Sequence, residues 1–201
     1  MAELLRTIVL ASASPRRRAL LAEVGIHVVV APVDADESRH DGEPPADYVA
    51  RVASAKLAIA LDRASAGQVG HVVLAADTIV SVDGDVLGKP EGDDDARRIL
   101  RRLSGRQHEV TTAVAIAIVG EVAQRVQPTT TRVRFRDLDE ATIDRYVATG
   151  EGRDKAGSYG IQGIASGFVA SIEGSYTNVV GLPVAETLLL LQAIGAVGAW
   201  P

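Results

Sequence analysis

The stretch Leu10-Ala11-Ser12-Ala13-Ser14-Pro15-Arg16-Arg17-Arg18-Ala19-Leu20-Leu21 determines how the chain begins to fold. A short apolar strand, Ile8–Leu10, leads into it, and an amphipathic helix is predicted to lead out of it. Ser14 has the side-chain oxygen that caps a helix N-terminus, and Pro15 suits the first helical position. The sequence therefore predicts a strand, a tight turn and a helix in close succession.

Three arginines follow Pro15 in the first turn of this predicted helix, where a positive charge is unfavourable. Because a helix N-terminus carries about half a positive charge, each cation there is disfavoured by roughly 0.3–1 kcal/mol. Guanidinium groups and the free N–H groups of a helix start together form a strong anion site, and phosphate is the best match. We interpret the cluster as a phosphate site; a solvated basic turn is the alternative.

The composition indicates an aliphatic core and argues against several classes of protein. Of 201 residues, 47% are hydrophobic, but only two are Phe, four Tyr and one Trp, so Val, Ile, Leu and Ala are expected to build the core. The net charge of −5 argues against a protein that coats nucleic acid. The chain has no cysteine, hence no disulfide and no thiolate metal site.

The hydropathy pattern predicts no membrane segment. No apolar run reaches the roughly 18 residues that a spanning helix needs. The N-terminus lacks the continuous apolar core of a signal peptide. We therefore expect a soluble, cytoplasmic protein.

Apolar periodicity predicts alternating strands and helices along the whole chain. The predicted strands are 8–10, 27–31, 72–82, 107–119, 122–136 and 168–172, and the predicted helices after the first are 47–64, 93–103, 139–148 and 181–194. Asp83-Gly84 predicts a hairpin turn. No linker, repeat or low-complexity segment appears, so we predict an α/β fold in a single domain, 1–201.

Asp77 interrupts the most apolar strand, Val72–Val82. A carboxylate flanked by apolar residues is costly to bury unless it is paired or bound to a metal. Strongly perturbed carboxylates also concentrate at active sites. The pattern favours a functional site at Asp77; the alternative is a strand end or bulge that leaves the charge in water.

Lys56 lies on the apolar stripe predicted for the helix 47–64. That stripe consists of Tyr48, Val52, Ala55, Ile59 and Ala60. A lysine in such a place usually extends its ammonium group into water. The alternative is that Lys56 points into a cleft that holds an anion, and the pattern does not decide between the two.

Three other places carry candidate chemistry. Glu37 lies in the acidic loop 32–45, which is either solvated or brings a carboxylate to hold a metal or orient a base. Lys89 stands directly before Pro90, so its backbone is restricted to extended conformations and can place a point charge for a phosphate. The segment 157–163 is rich in glycine, which allows a backbone to approach a ligand, or else forms a mobile turn.

Six short motifs, in order, resemble the Maf family of septum-formation-inhibitor-like nucleotide pyrophosphatases. They are Leu10-Ala-Ser-Ala-Ser-Pro-Arg-Arg17, Ala76-Asp77-Thr78, Leu87-Gly-Lys-Pro90, Leu103-Ser-Gly-Arg106, Asp154-Lys-Ala-Gly-Ser-Tyr-Gly-Ile-Gln-Gly163 and Val180-Gly-Leu-Pro183. The resemblance implies a mixed, elongated sheet flanked by helices, as in Maf and ITPase-like proteins, with two lobes and an active-site cleft between them. It also implies hydrolysis of nucleoside triphosphates to monophosphate and pyrophosphate with Mg²⁺ or Mn²⁺, and a homodimer.

The resemblance also implies roles for individual residues. The catalytic set is Asp77 as proton acceptor with Lys56, Lys89 and Arg16; the substrate-binding set is Ser12, Ser14, Arg16, Arg17, Thr78 and Gln162; and the metal ligands are Asp77 and Glu37. Arg17, Thr78 and Gln162 are typical of the branch that acts on dTTP, UTP and modified pyrimidine nucleotides. The amide of Gln162 can pair with the O4/N3 edge of uracil or thymine.

Two residues extend or depart from the family pattern. Arg18 lengthens the arginine run, and we expect it to face solvent. Ser158 stands where alanine is usual, which affects only the detail of the pocket.

Two other functions remain open at this point. One is a nucleotide-binding regulator of septum formation with little turnover, and the other is a phosphatase that releases orthophosphate. For the pyrophosphatase, we expect removal of non-standard nucleotides, with a link to arrest of cell division.

Overall fold

A computed structural model of the chain describes residues 4–64, 66–68 and 70–199. Its strands are Ile8–Leu10 (β1), Val28–Val30 (β2), Val72–Val82 (β3), Asp85–Leu87 (β4), Gln107–Ile118 (β5), Gln124–Phe135 (β6) and Val169–Glu173 (β7). Its α-helices are Pro15–Glu23 (α1), Pro45–Asp62 (α2), Asp93–Leu103 (α3), Glu140–Thr149 (α4), Tyr176–Val180 (α5) and Val184–Ala193 (α6). Short 3-10 helices occur at Ala66–Gln68, Ala156–Ser158 and Ile164–Phe168.

The described strands form one seven-stranded mixed sheet. Its order is β2-β1-β3-β5-β6-β7, and β4 pairs with β3 off this path. β1 is parallel to β2 and β3, whereas the pairs β3–β4 and β6–β7 are antiparallel. The predicted mixed α/β fold is confirmed.

The chain divides into two compact units. Unit 1 comprises Met1–Asp77, Thr112–Thr129 and Gly181–Pro201, and unit 2 comprises Thr78–Thr111 and Thr130–Val180. β3, β5 and β6 each contribute residues to both units. The units correspond to the two predicted lobes, while the cleft between the lobes stays a prediction.

Unit 1 has the aliphatic core that the composition predicts, but the residues that α2 buries in it differ from the predicted stripe. The helix buries Val49, Val52, Ala53 and Leu57, whereas Tyr48, Ala55, Ile59 and Ala60 are only half-buried. Apart from Val52, the predicted stripe is therefore wrong. Tyr48 turns instead toward the acidic loop, where its hydroxyl donates to a backbone carbonyl.

The core of unit 2 is partly aromatic, which the composition did not suggest. Phe135 lies at its centre, edge to face with His108, Tyr159 and Phe168, at ring-centroid distances of 4.9, 4.8 and 5.9 Å. Tyr146 contacts Phe168 in the same way. Edge-to-face pairs add to the energy of burial, so the few aromatic residues are concentrated where they stabilise this unit.

His108 should make the stability of the protein depend on pH. His108 is 2% exposed, and its Nε2 lies 2.8 Å from the Tyr159 hydroxyl. Burial lowers the pKa of His108 from 6.5 to about 4. Because the unfolded chain binds this proton more readily, the free energy of unfolding should fall as pH drops from 6.5 toward 4, by about 1.4 kcal/mol per pH unit at most.

Urea unfolding of wild type and His108→Gln between pH 7 and pH 5 measures this contribution. We expect the stability difference between the two proteins to shrink by about 2 kcal/mol over that range. His27→Gln, which makes the same substitution at an exposed histidine, is the control. A constant difference between wild type and His108→Gln would contradict the assignment.

The hairpin predicted at Asp83-Gly84 is confirmed, since β3 and β4 pair on either side of it. Both turn residues have positive φ, +53° and +82°, as two-residue hairpin turns of type I′ require. Helix α5 was not predicted. Within the described residues, no helix combines the length and the apolar character needed to traverse a bilayer.

Candidate active site

The turn between β1 and α1 forms as the sequence predicts. The Ser14 hydroxyl caps α1 by accepting from the Arg17 backbone N–H at 3.4 Å, and Pro15 is the first helical residue. The Ser12 hydroxyl accepts from the Ser14 backbone N–H at 3.3 Å. Arg16 is half-buried, and Arg18 is exposed as expected.

Arg17 is directed into the protein. It is 9% exposed, and its Nε donates to the Gly181 carbonyl at 2.8 Å. Its Nη1 donates to the Ser12 hydroxyl at 2.9 Å and to the Ala76 carbonyl at 2.8 Å. Burial lowers the pKa of the guanidinium, and the nearby Asp77 carboxylate opposes that shift. Arg17 therefore joins α1 to the residue that precedes Asp77; a contact between Arg17 and substrate stays a prediction.

Asp77 lies inside β3, which runs unbroken from Val72 to Val82, so the strand-end interpretation is wrong. Asp77 and Thr78 are half-buried, while the other nine residues of the strand are buried. The Asp77 side chain is 14% exposed. Burial raises the pKa of Asp77, and the charges of Lys56 and Arg17 act against that rise. The strand thus holds a carboxylate whose pKa is raised by burial and that solvent can still reach.

The position of the Lys56 ammonium group decides between the two alternatives that the helical pattern left open. Its Nζ lies 2.7 Å from Asp77 Oδ1 and 2.5 Å from Glu37 Oε1, and its side chain is 11% exposed. Burial lowers the pKa of the ammonium, but the two carboxylates outweigh burial and leave the pKa above its ordinary value. Lys56 is therefore a cation held between two acids rather than one extended into water.

The acidic loop that carries Glu37 is fastened to α2. The Tyr48 hydroxyl donates to the Glu37 carbonyl at 2.6 Å, and Arg51 Nη2 donates to the Ser38 carbonyl at 2.8 Å. Arg51 also binds both carboxylate oxygens of Glu43, at 2.7 and 2.8 Å. Hydrogen bonding to Arg51 lowers the pKa of Glu43 to about 2. Sequence reasoning missed this pair, although Glu43 lies in the loop and Arg51 lies in the helix that follows it.

Asp77 and Glu37, the two carboxylates beside Lys56, suit a divalent cation that is also held by oxygen atoms of the substrate. Mg²⁺ is usually bound by one or two carboxylates, with water and phosphate oxygens as the remaining ligands. Asp77 and Glu37 provide two carboxylates of this kind beside one ammonium group. Across 4–64, 66–68 and 70–199, no group of three or more His, Cys, Asp or Glu side chains could hold a metal. The donor set does not fit a cage made by the protein alone.

The remaining predicted site residues lie in unit 2. Thr78 is half-buried in β3, and Lys89 and Gln162 are exposed. The glycine-rich segment is anchored next to Lys89, because the Gly157 N–H donates to the Gly88 carbonyl at 3.1 Å. Gly157 has φ +71°, and a Cβ there would lie 2.9 Å from Val80 Cγ2. The segment is thus packed against β3, contrary to the mobile-turn alternative.

A family model described as "Maf-like protein" matches residues 7–194 of the chain. The chain belongs to the Maf-like family. Curated relatives called "dTTP/UTP pyrophosphatase" share much of its sequence. The protein from Hahella chejuensis is 51% identical, covering 94% of this chain and 93% of that one. A protein from Anaeromyxobacter dehalogenans is 49% identical, and the match covers 96% of this chain and 96% of that one. The protein from Chromobacterium violaceum is also 49% identical, and the match covers 94% of each chain.

Among solved structures, the Staphylococcus aureus Ham1 protein is similar with a TM-score of 0.49 at 15% identity. The match covers 94% of this Maf-like chain and 97% of Ham1.

The structure of this Maf-like chain groups part of the predicted site by direct contact. Glu37, Lys56 and Asp77 form one ion-paired cluster, and Arg17 joins Ser12 to the backbone beside it. These residues come from the turn after β1, from α1, the acidic loop, α2 and β3, all within unit 1. The roles predicted for individual residues, Ser158 included, stay predictions; Ser158 is buried.

Proposed function

We propose that this Maf-like protein is a nucleoside triphosphate pyrophosphatase that hydrolyses dTTP, UTP and modified pyrimidine nucleotides to the monophosphate and pyrophosphate. The observation that carries the proposal is the Lys56 ammonium between the carboxylates of Asp77 and Glu37. Relatives of about half identity over nearly the full chain, whose name is dTTP/UTP pyrophosphatase, support the choice of reaction and substrate.

In the proposed hydrolysis, Asp77 has one role, which is to accept a proton. A water molecule attacks the α-phosphorus, Asp77 accepts a proton from that water, and the bond to the leaving pyrophosphate breaks. Oδ1 of Asp77 accepts a hydrogen bond from Lys56, so we assign the proton to Oδ2. The burial that raises the pKa of Asp77 makes its carboxylate a stronger base than an exposed aspartate.

Lys56 and the arginine cluster would neutralise the phosphate charge. The pKa of Lys56 lies above its ordinary value, so the group is an ammonium at neutral pH. Phosphoryl transfer depends mainly on positioning and on stabilising charge. Arg16 and Lys89 are proposed to bind phosphate oxygens directly, with the hydroxyls of Ser12 and Ser14 nearby in sequence.

Mg²⁺ or Mn²⁺ held by Asp77 and Glu37 would act as a Lewis acid on the phosphate oxygens. Both residues are proposed as ligands because carboxylate oxygens suit these hard cations. Lys56 then keeps the two carboxylates in place when no cation is bound.

Within unit 2, we propose that Gln162 recognises the base and that Thr78 contributes to the choice of substrate. The amide of Gln162 has one donor side and one acceptor side, which suits the O4/N3 edge of uracil or thymine. Removal of non-standard nucleotides, homodimer assembly, a cytoplasmic location and a link to cell division stay predictions from the sequence.

A nucleotide panel tests the proposal. Purified protein is incubated with UTP, dTTP, CTP, ATP or GTP and Mg²⁺ or Mn²⁺, and pyrophosphate and orthophosphate are assayed separately. We expect pyrophosphate from UTP and dTTP, loss of turnover in EDTA, and recovery when the cation is restored. Orthophosphate as the first product would favour a phosphatase, and nucleotide binding without turnover under any cation would favour a binding regulator.

A further inference from the structure

Glu151 is the centre of a hydrogen-bonded cluster in unit 2 that the proposed reaction does not use. Its carboxylate accepts from the backbone N–H groups of Ile164 at 2.8 Å and Ala165 at 3.3 Å. It also accepts from the Tyr146 hydroxyl at 3.1 Å. The first two donors begin the 3-10 helix Ile164–Phe168, where N–H groups have no partner within the helix.

Tyr146 extends this cluster to the other side of the glycine-rich turn. Its hydroxyl accepts from the Gly160 backbone N–H at 3.3 Å while it donates to Glu151. Burial raises the pKa of Tyr146, and the Glu151 carboxylate adds to that rise, so the hydroxyl keeps the proton that it donates. Tyr146 itself is 3% exposed.

The four residues 160–163 form a turn that is fixed at both ends. The Gly163 N–H donates to the Gly160 carbonyl at 3.1 Å. Tyr146 binds the first residue of the turn, and Glu151 binds the residue that follows the last. A Cβ on Gly163 would overlap the Glu151 carboxylate, so the backbone packs directly on this acid.

Gln162 occupies the third position of that fixed turn. Ile161 before it is only 6% exposed, whereas Gln162 is exposed. An exposed side chain on a fixed backbone loses less freedom when it binds a ligand than one on a loose loop. Binding groups also need support from neighbouring residues to keep their geometry.

We propose that Glu151 and Tyr146 are positioning residues that hold the 160–163 turn so that Gln162 can discriminate between nucleotide bases. This inference rests on the function proposed above and assigns specificity to residues outside the predicted site. The two side chains act through the backbone of the turn and do not touch substrate.

The test combines Glu151→Gln, Tyr146→Phe and Gln162→Ala in a double-mutant cycle. Glu151→Gln keeps the size of the side chain but places an NH₂ group against N–H donors, and Tyr146→Phe removes the hydroxyl. We expect either change to lower kcat/KM for UTP about tenfold, chiefly through KM, and to reduce the preference for UTP over CTP. Added to Gln162→Ala, neither change should reduce that preference further.

Glu140→Gln is the matched control, because it makes the same substitution at an exposed glutamate of unit 2 that pairs with Arg101. It should leave both KM and base preference unchanged. The inference would be overturned if either change reduced the preference for UTP further when added to Gln162→Ala. A uniform fall in kcat for every nucleotide would overturn it as well. If one positioning variant fails to fold, the other decides. If the wild-type protein releases no pyrophosphate, the proposed function itself is overturned. Failure of the proposed function and failure of this inference can therefore be told apart.

Discussion

Replacing Asp77 by asparagine should reduce pyrophosphate release from UTP by about 10³-fold, within the range that a positioned general base contributes. Asparagine has nearly the same shape but cannot accept the proton of the attacking water. Lys56 would still have Glu37 as a partner, so the ammonium is not left alone. We therefore expect the loss to fall on kcat, with nucleotide binding largely retained.

Stopped assays of pyrophosphate and calorimetric titration with UTP measure the two quantities separately. Asp83→Asn is the control: Asp83 is an exposed turn residue with φ +53°, a conformation that asparagine also tolerates. Its activity should match that of wild type. A folded Asp77→Asn variant that keeps about a tenth or more of the wild-type kcat would exclude Asp77 as the base.

Replacing Arg17 by methionine should lower the free energy of unfolding by about 2–5 kcal/mol. The change removes donors from the buried carbonyls of Ala76 and Gly181, and each buried group that loses its partner costs about 1–3 kcal/mol. Arg17→Lys should recover little of this, because a single ammonium cannot reproduce a planar guanidinium that reaches the two carbonyls through different nitrogens.

Chemical denaturation of Arg17→Met beside Arg18→Met gives the comparison. Arg18 is the next residue and is exposed, so its replacement should change stability by less than about 0.5 kcal/mol. Equal stability of the two variants, together with a raised KM for Arg17→Met alone, would contradict the inward-facing role. That result would instead support the prediction that Arg17 contacts substrate.

Local sequence signals predicted several elements to the residue. β3 has the predicted bounds Val72–Val82 because its apolar run is continuous and ends at a turn of Asp and Gly. α3 has the predicted bounds Asp93–Leu103 because acids fill its first turn and arginines its last, as the helix dipole favours. Asp77 could also be identified from the local sequence, because a single charged residue in an otherwise apolar strand is unusual.

Contacts between distant residues could not be predicted in this way. The buried face of α2 was misjudged because valine, alanine, isoleucine and leucine occur on more than one side of that helix. The inward direction of Arg17 depends on a carbonyl 164 residues away. Glu151 binds backbone groups whose position only the folded turn defines. No pattern of residue types marks such an arrangement.

The division of the chain also has a consequence for its synthesis. Once Val180 has been added, every residue of unit 2 exists, whereas unit 1 still lacks Gly181–Pro201. The Gly181 carbonyl that accepts from Arg17 is made 164 residues after its donor. On the ribosome, the later-starting unit is therefore the first to have all its residues. The hydrogen bond from Arg17 to Gly181 can therefore form only after residue 181 has been added.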